Sequence, residues 1–180
     1  MSIRQLPTIA YIRQCLRYEN GKLFWLHRPR ELFATSCAFG NWNTKYSGTE
    51  AGYRHKRDGG DRWLVSIGGR LLRRSRIVWA MHNGDWPKLI DHDNRNTLDD
   101  RIENLRPATG TQNNGNAGIH IDNKSGYKGI SWSNRGKKWV ASIKSNGKWK
   151  YLGSFTDPEQ AHAAYVAASK EHFGDFACSG

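Results

Sequence analysis

Long apolar runs are missing from this sequence, and cysteine, proline and methionine are scarce. No stretch approaches the roughly 20 apolar residues a bilayer-spanning helix needs, which excludes a membrane helix. Met1-Ser2-Ile3-Arg4-Gln5-Leu6-Pro7 has no apolar core after its charge, so a secretory leader is not expected and the reading is cytoplasmic. The three cysteines, Cys15, Cys37 and Cys178, are odd in number and widely spaced, with no Cys-x-x-Cys. That pattern supports neither a disulfide framework nor a zinc site, and the thiols are expected to be reduced. Acidic residues are also few, 16 against 28 Lys and Arg, for a net charge of +12 carried by both the segment up to Asn116 and the segment after it. Such an excess calls for a polyanionic partner; without a basic amphipathic helix to lie on a membrane, nucleic acid is the expected one. The 180 residues, 37% of them hydrophobic, allow one or two small domains.

Chemistry-bearing residues concentrate between Ile90 and Asn116: Asp91-His92, then Asn104-Leu105-Arg106, then Asn113-Asn114. Cutting a phosphodiester requires a cation on the phosphate and a base beside an attacking water, and an Asp-His pair offers both chemistries. On a strand over Leu89–His92 the two side chains point to opposite faces, so both reach one phosphate only through a twist or bulge at the strand end. With Asn113 returned by a loop, a strand and a helix, Asp91 and Asn113 are oxygen ligands suited to one Mg²⁺ or Mn²⁺ rather than zinc. By itself an Asp-His pair in a polar loop is usually a solvated turn; the order and spacing of the later residues give this pair its weight.

These residues resemble the HNH endonucleases, in particular the phage and intron-encoded branch without a zinc ribbon. Ser75-Arg76-Ile77-Val78-Trp79-Ala80 and Gly84-Asp85-Trp86-Pro87 are similar to that branch's helix and turn before the Asp-His strand. The resemblance implies His92 as general base, Asp91 and Asn113 on one divalent metal, and Asn104 pinning the loop. Two positions depart from the pattern. Ser75 stands where a His is common, removing an expected phosphate contact, and is the hint for an alternative reading, a DNA-binding regulator whose nuclease fold is inactive. Asp99-Asp100-Arg101 stands for Asn-Asn-Arg and is not expected to touch the metal; the acidic residues of Asn94–Asp100 are read as capping or solvated.

Upstream, Ile9, Ile12, Cys15 and Leu16 predict a helix over Thr8–Tyr18 stopped by Glu19-Asn20-Gly21, with a strand over Lys22–His27. Arg28–Gly52 reads as a long irregular loop, with Trp42 packing it rather than stacking on a base. Trp63–Ile67 and Arg70–Arg73 predict a hairpin about Gly68-Gly69. Arg70, Arg73, Arg74 and Arg76 follow within seven residues; singly each reads as part of a solvated face, but together they are expected to put at least one on a phosphate, with Arg73, Arg74 and Arg76 the DNA-binding candidates. Arg106 reads either as approaching the scissile phosphate or, the favoured reading, as pairing with Glu103 at the surface. Thr109 is the expected N-cap of the metal-bearing helix and Gly115 its stop, and His120 is read as exposed.

After Ser125 the pattern becomes three short strands (Tyr127–Trp132, Lys138–Lys144, Trp149–Gly153) and a helix over Pro158–His172 with a cap at Thr156 or Asp157. Alternation places Trp139, Ala141 and Ile143 in the core, against a helical stripe of Ala161, Ala164, Tyr165 and Ala168. The other face carries Ser142, Lys144, Trp149 and Tyr151, together with Lys128 and, in the first turn, Arg135, a basic and aromatic mixture suited to a DNA groove. Tyr127-Lys128-Gly129-Ile130, Trp139-Val140-Ala141-Ser142-Ile143, Tyr151-Leu152-Gly153-Ser154-Phe155 and Glu159-Gln160-Ala161-His162-Ala163-Ala164-Tyr165 resemble the AP2 DNA-binding domain. That likeness implies a sheet that reads the major groove of double-stranded DNA through Lys128, Ser131, Ser133, Arg135, Ser142, Lys144, Trp149 and Tyr151.

The resulting expectation is an α+β chain. A ββα-metal HNH nuclease domain spans 1–116 and a linker 117–124. A three-stranded antiparallel sheet packed on one helix spans 125–180. Together they form a phage-type, homing-like DNA endonuclease, whose oligomeric state the sequence leaves open between a monomeric nickase and a dimeric double-strand cutter.

Overall fold

Thr8 accepts a hydrogen bond from Tyr11 N and starts α1, Ile9–Cys15, whose Ile12 and Cys15 are fully buried. The computed structural model describes residues 5–56 and 60–180; Met1–Arg4, on which part of the leader expectation rests, lie outside the described residues. By compactness the chain divides between Pro107 and Ala108 into two units. Among the described residues no helix is long and apolar enough to cross a membrane.

In the first unit α1 ends earlier than its apolar stripe predicts. Leu16–Glu19 is a strand, β1, paired antiparallel with β2, Lys22–Trp25, around Asn20-Gly21. Both turn residues have positive φ, 47° and 81°, the conformation of a type I′ hairpin turn, so strand pairing prevails over helix continuation. The expected long loop contains a helix, α2, Ser36–Tyr46, capped by Thr35. Its Trp42 packs on the core, edge-on to Trp25, with the Arg28 guanidinium 3.9 Å from its ring; the loop-packing reading of Trp42 holds, but on a helix. Asn43 fastens α2 by bonding both the N–H and the carbonyl of Arg28.

Strands β3 (Tyr53–His55), β4 (Arg62–Ile67) and β5 (Arg70–Arg73) form one antiparallel sheet, with the predicted hairpin between β4 and β5. Helix α3, Arg74–Asn83, follows directly and buries Ile77, Val78 and Ala80. Then β6, Ile90–His92, pairs antiparallel with β7, Leu105–Pro107. Ile90 and Leu105 enter the same core as Ile12, Leu23, Val65 and Ile77, which fixes this two-stranded ribbon on the body of the unit.

In the second unit, Thr109 and Gln112 form a reciprocal capping box at the start of α4, Gly110–Asn116. Gly115 lies inside α4 rather than stopping it: a Cβ there would sit 2.6 Å from the Phe173 ring. Residues 108–124, expected partly with the first domain and partly as linker, therefore belong by compactness with the sheet that follows. That sheet runs β10-β9-β8, from β8 (Ile130–Ser133), β9 (Lys138–Ser145) and β10 (Lys148–Phe155). Helix α5, Pro158–Phe173, is capped by Asp157 and lays Ala161, Tyr165 and Ala168 on the sheet face that carries Ala141 and Ile143.

Candidate active site

The register of β6 and β7 sorts the site. His92 pairs with Leu105 and Asp91 with Arg106, and directly opposed residues share a face. Ile90, His92 and Leu105 thus lie on the core side, Asp91 and Arg106 on the other. Asp91 is 5% exposed and accepts a bond from Arg106 Nε at 3.0 Å; Arg106 also pairs with Asp93. Arg106 does not pair with Glu103, because the ladder sets it against Asp91; Glu103 faces Arg101 instead.

His92 closes β6 and meets Asp100, with Nε2 2.9 Å from Oδ1. Asp100 is 2% exposed, and its other oxygen accepts from Arg74 Nε at 2.7 Å. Arg74 continues to Glu50 Oε1 at 2.8 Å and lies over the Trp63 ring at 4.4 Å. This arginine, expected on a phosphate, is instead 3% exposed and fully engaged at the root of α3, because the buried carboxylate of Asp100 needs a counter-charge. Ser75 is buried beside it. Asp100 is the residue that sequence reasoning passed over: one member of an acidic pair in a polar loop carries no mark of burial.

The loop between the strands is clasped by Asn104, which is itself buried. Asn104 Oδ1 accepts from Asn94 N at 2.9 Å, Nδ2 donates to the Asp99 carbonyl at 2.7 Å, and the Asn104 carbonyl accepts from Asp93 N. Arg101 donates two 2.8 Å bonds to Asp99 and thereby holds that carboxyl well below the usual carboxylate range, with Asn94 adding a further bond against the opposing effect of burial. The amino-terminal hairpin supports this loop from behind. Ile102 N donates to Tyr18 Oη, and at Gly21 a Cβ would fall 2.9 Å from Arg101 N, so glycine is needed there for approach as well as for its φ.

A groove of about 420 Å³ lies between the β3–β5 sheet and the start of α3, lined by His55, Arg62, Arg73, Arg76 and Lys88 together with four leucines. Two of the expected phosphate-contacting arginines, Arg73 and Arg76, are therefore in one cationic groove, Arg76 steadied by its bond to the Pro87 carbonyl. The groove adds Arg62, Lys88 and His55, whose sequence separation hid their convergence.

Asn113 lies on α4, in the second unit. On the sheet face away from α5, register aligns Lys144 with Trp149 and Ser142 with Tyr151. Trp149 is 70% and Tyr151 64% exposed, and the Lys144 ammonium is 5.8 Å from the Trp149 ring. Arg135 is exposed in the β8–β9 turn, and His120 is exposed as expected. The Lys128 ammonium donates to the carbonyls of Gly115, Ala117 and Cys178, which matches its three protons. It therefore joins the end of α4 to the end of the described chain, and it also lines a groove with Ser142, Lys144 and Trp149.

Among the described residues no three His, Cys, Asp or Glu side chains converge as a metal cage. A carboxylate such as that of Asp91 and a carboxamide such as that of Asn113 are oxygen donors, the kind that Mg²⁺ or Mn²⁺ takes.

Comparison with known proteins finds a family match over part of the chain. Residues 73–114 match the family model described as HNH endonuclease, a span that begins at Arg73 and contains Asp91, His92, Asp100, Asn104 and Asn113. Two particular relatives follow. The chain is 40% identical over 78 residues to "Protein 3.8" of Escherichia phage T7, covering 42% of this chain and 64% of that protein. It is 35% identical over 88 residues to "Uncharacterized HNH endonuclease L560" of Acanthamoeba polyphaga mimivirus, covering 49% of this chain and 44% of that one. The chain thus spans less than two thirds of either relative. No solved structure matches the chain.

Proposed function

We propose that this chain is a metal-dependent DNA endonuclease of the phage HNH type, cutting phosphodiester bonds at sites chosen by its second unit. The observation that carries the reading is the coincidence of the HNH match over 73–114 with a strand pair that presents Asp91 and His92 on a core-anchored ribbon. In this reading Asp91 and Asn113 hold one Mg²⁺ or Mn²⁺, Asn113 being assigned by the HNH resemblance. A bound ion would supply Lewis-acid chemistry toward the phosphate and its departing 3′ oxygen. His92 takes the proton from the attacking water, and Asn104 holds the loop that follows His92. Arg73 and Arg76, with Arg62 and Lys88, neutralise the backbone along the cationic groove.

The second unit supplies position. Lys144, Ser142, Trp149 and Tyr151 on the uncovered sheet face, with Arg135 at its turn, form an AP2-like reading surface for double-stranded DNA. Supercoiled plasmids carrying fragments of the source genome, incubated with the full chain in Mg²⁺ or Mn²⁺, test this. The expected result is nicking or linearisation that a chelator abolishes and that His92→Ala and Asn113→Ala lose. Tight binding without any cutting would replace the endonuclease by the inactive regulator.

A further inference from the structure

Strand β9 outruns β8. Pairing between them begins at Ile130 and Ala141, and one further bond joins Ser142 N to the Gly129 carbonyl. Beyond it, residues 143–145 have β10 on one side and, among the described residues, no strand on the other. Helix α4 reaches that uncovered edge, where the Thr111 hydroxyl donates to Asn146 Oδ1 at 3.3 Å. Between helix and strand edge lies a groove of about 460 Å³, built wholly from the second unit. We propose that this groove receives one unpaired nucleotide of the bound DNA, so that the chain favours a duplex with an extrahelical base over a perfectly paired one. The proposal goes beyond the AP2-like reading surface and rests on that surface as the seat of the DNA.

The floor of the groove is apolar: Ile143, Tyr165 and Phe173 line it and are 2%, 5% and 7% exposed. Its rim is polar and uncharged at Thr111, Asn114 and Asn146, whose hydroxyl and carboxamide groups both donate and accept. That combination suits a nucleobase, which presents an apolar face and a hydrogen-bonding edge. Trp149 forms one wall and is largely exposed, so a base can lie against its ring. The Lys144 ammonium, 5.8 Å from that ring, supplies the cation for the phosphate that accompanies the base. No Asp or Glu lines the groove among the described residues, which argues against a cationic ligand. The volume falls within the roughly 300–1,000 Å³ of small-ligand pockets, enough for a nucleotide and too small for a duplex. Continuity selects DNA as the source. Ser142, Lys144 and Trp149 belong both to the groove and to the uncovered sheet face, so a strand lying on that face has the groove beside it. A base that is already unpaired enters without the unstacking cost that a paired one must meet.

The test is binding of the full chain, in chelator so that no strand is cut, to two labelled duplexes of one sequence. One duplex carries a single extra, extrahelical nucleotide, and fluorescence anisotropy reads both affinities. Stacking on Trp149 with the rim contacts should tighten the bulged duplex by about 10–100-fold. Asn146→Gly keeps the positive φ of the turn, 51°, while removing the carboxamide, and should cut that preference about fivefold. Asn114→Trp fills the groove from an exposed position of α4 and should abolish the preference. Both variants should bind the perfect duplex as the wild type does.

Equal affinity of the wild type for the two duplexes, or a preference that Asn114→Trp leaves intact, overturns the proposal while the duplex-reading surface stands. A chain that binds neither duplex overturns both. If the variants do not fold, 5-iodouracil at the extrahelical position decides on the wild type alone. A photocrosslink to Trp149, Tyr165 or Phe173 is expected, and crosslinking confined to residues outside the groove overturns the assignment.

Discussion

Removing Arg74 should be among the most damaging changes available in the first unit. Arg74→Met keeps most of the side-chain volume against Trp63 but strands the Asp100 carboxylate, which is 2% exposed, with no cation. Glu50 is less affected, because its side chain is 30% exposed and can turn to water. Breaking a buried ion pair from one side costs about 3–5 kcal/mol. That is a large fraction of the roughly 5–15 kcal/mol that stabilises a typical domain. At a urea slope of about 2 kcal/mol/M the midpoint should fall by about 2 M. Five of the eight tryptophans lie in the first unit, and Trp63 touches the altered side chain, so urea titration of the full chain followed by tryptophan fluorescence reports the event. Adding Asp100→Asn removes the stranded charge and should recover more than half of the loss, a coupling that double-mutant analysis measures directly. A single-variant loss below about 1 kcal/mol, or a double variant equal to the sum of its parts, would refute the reasoning.

Gly115→Ala should destabilise the second unit by about 1–3 kcal/mol, because the added methyl meets Phe173 at 2.6 Å; a gain in thermal midpoint, as helix propensity alone predicts, would show that α4 and α5 do not pack in this way. Lys144→Ala should weaken DNA binding and lower the log–log salt slope by about 0.9, read by fluorescence anisotropy across a salt series; an unchanged slope would remove Lys144 from the binding face. Asp99 has a depressed folded-state pKa, caused first by Arg101, so its contribution to stability is present above its unfolded pKa and lost as pH falls through the lower folded value. Asp99→Asn should therefore lower the thermal midpoint at pH 7, with the difference from wild type shrinking in strong acid; a difference independent of pH would contradict the pairing with Arg101.

Local chemistry explains what was readable beforehand. Gly68-Gly69 between alternating strands, Thr109 three residues before Gln112, and Pro158 after Asp157 each impose a backbone geometry on their own neighbours, and all three elements form where expected. Alternation along Trp139–Lys144 likewise sorted the sheet faces, since Ala141 and Ile143 are buried while Lys144 is exposed. Failures occur where distant residues decide. Leu16–Glu19 has a partner across a turn and becomes strand although it continues a helical stripe. Helix α2 was hidden by Gly40, Asn41 and Asn43, weak helix formers compensated by the packing of Phe39, Trp42 and Tyr46. At the candidate site Asp91, His92 and Asn104 were marked by their spacing. Asp100 and Arg74 were not, because a contact across 26 residues converts a solvated-looking acid and a surface-looking base into a buried pair.

The Lys128 clasp has a consequence for synthesis. Its three carbonyl partners lie 13 and 11 residues before it and 50 residues after it. On a ribosome adding about 5–20 residues per second, the last partner arrives about 3–10 s after the lysine. During that interval the carbonyls of Gly115 and Ala117 can be met, but the bond to Cys178 cannot form. Phe173, the wall against which Gly115 packs, is also still missing for most of it. The buried core of the first unit is built, among the described residues, from side chains between Ile12 and Leu105, all of which are made before Lys128 and its partners.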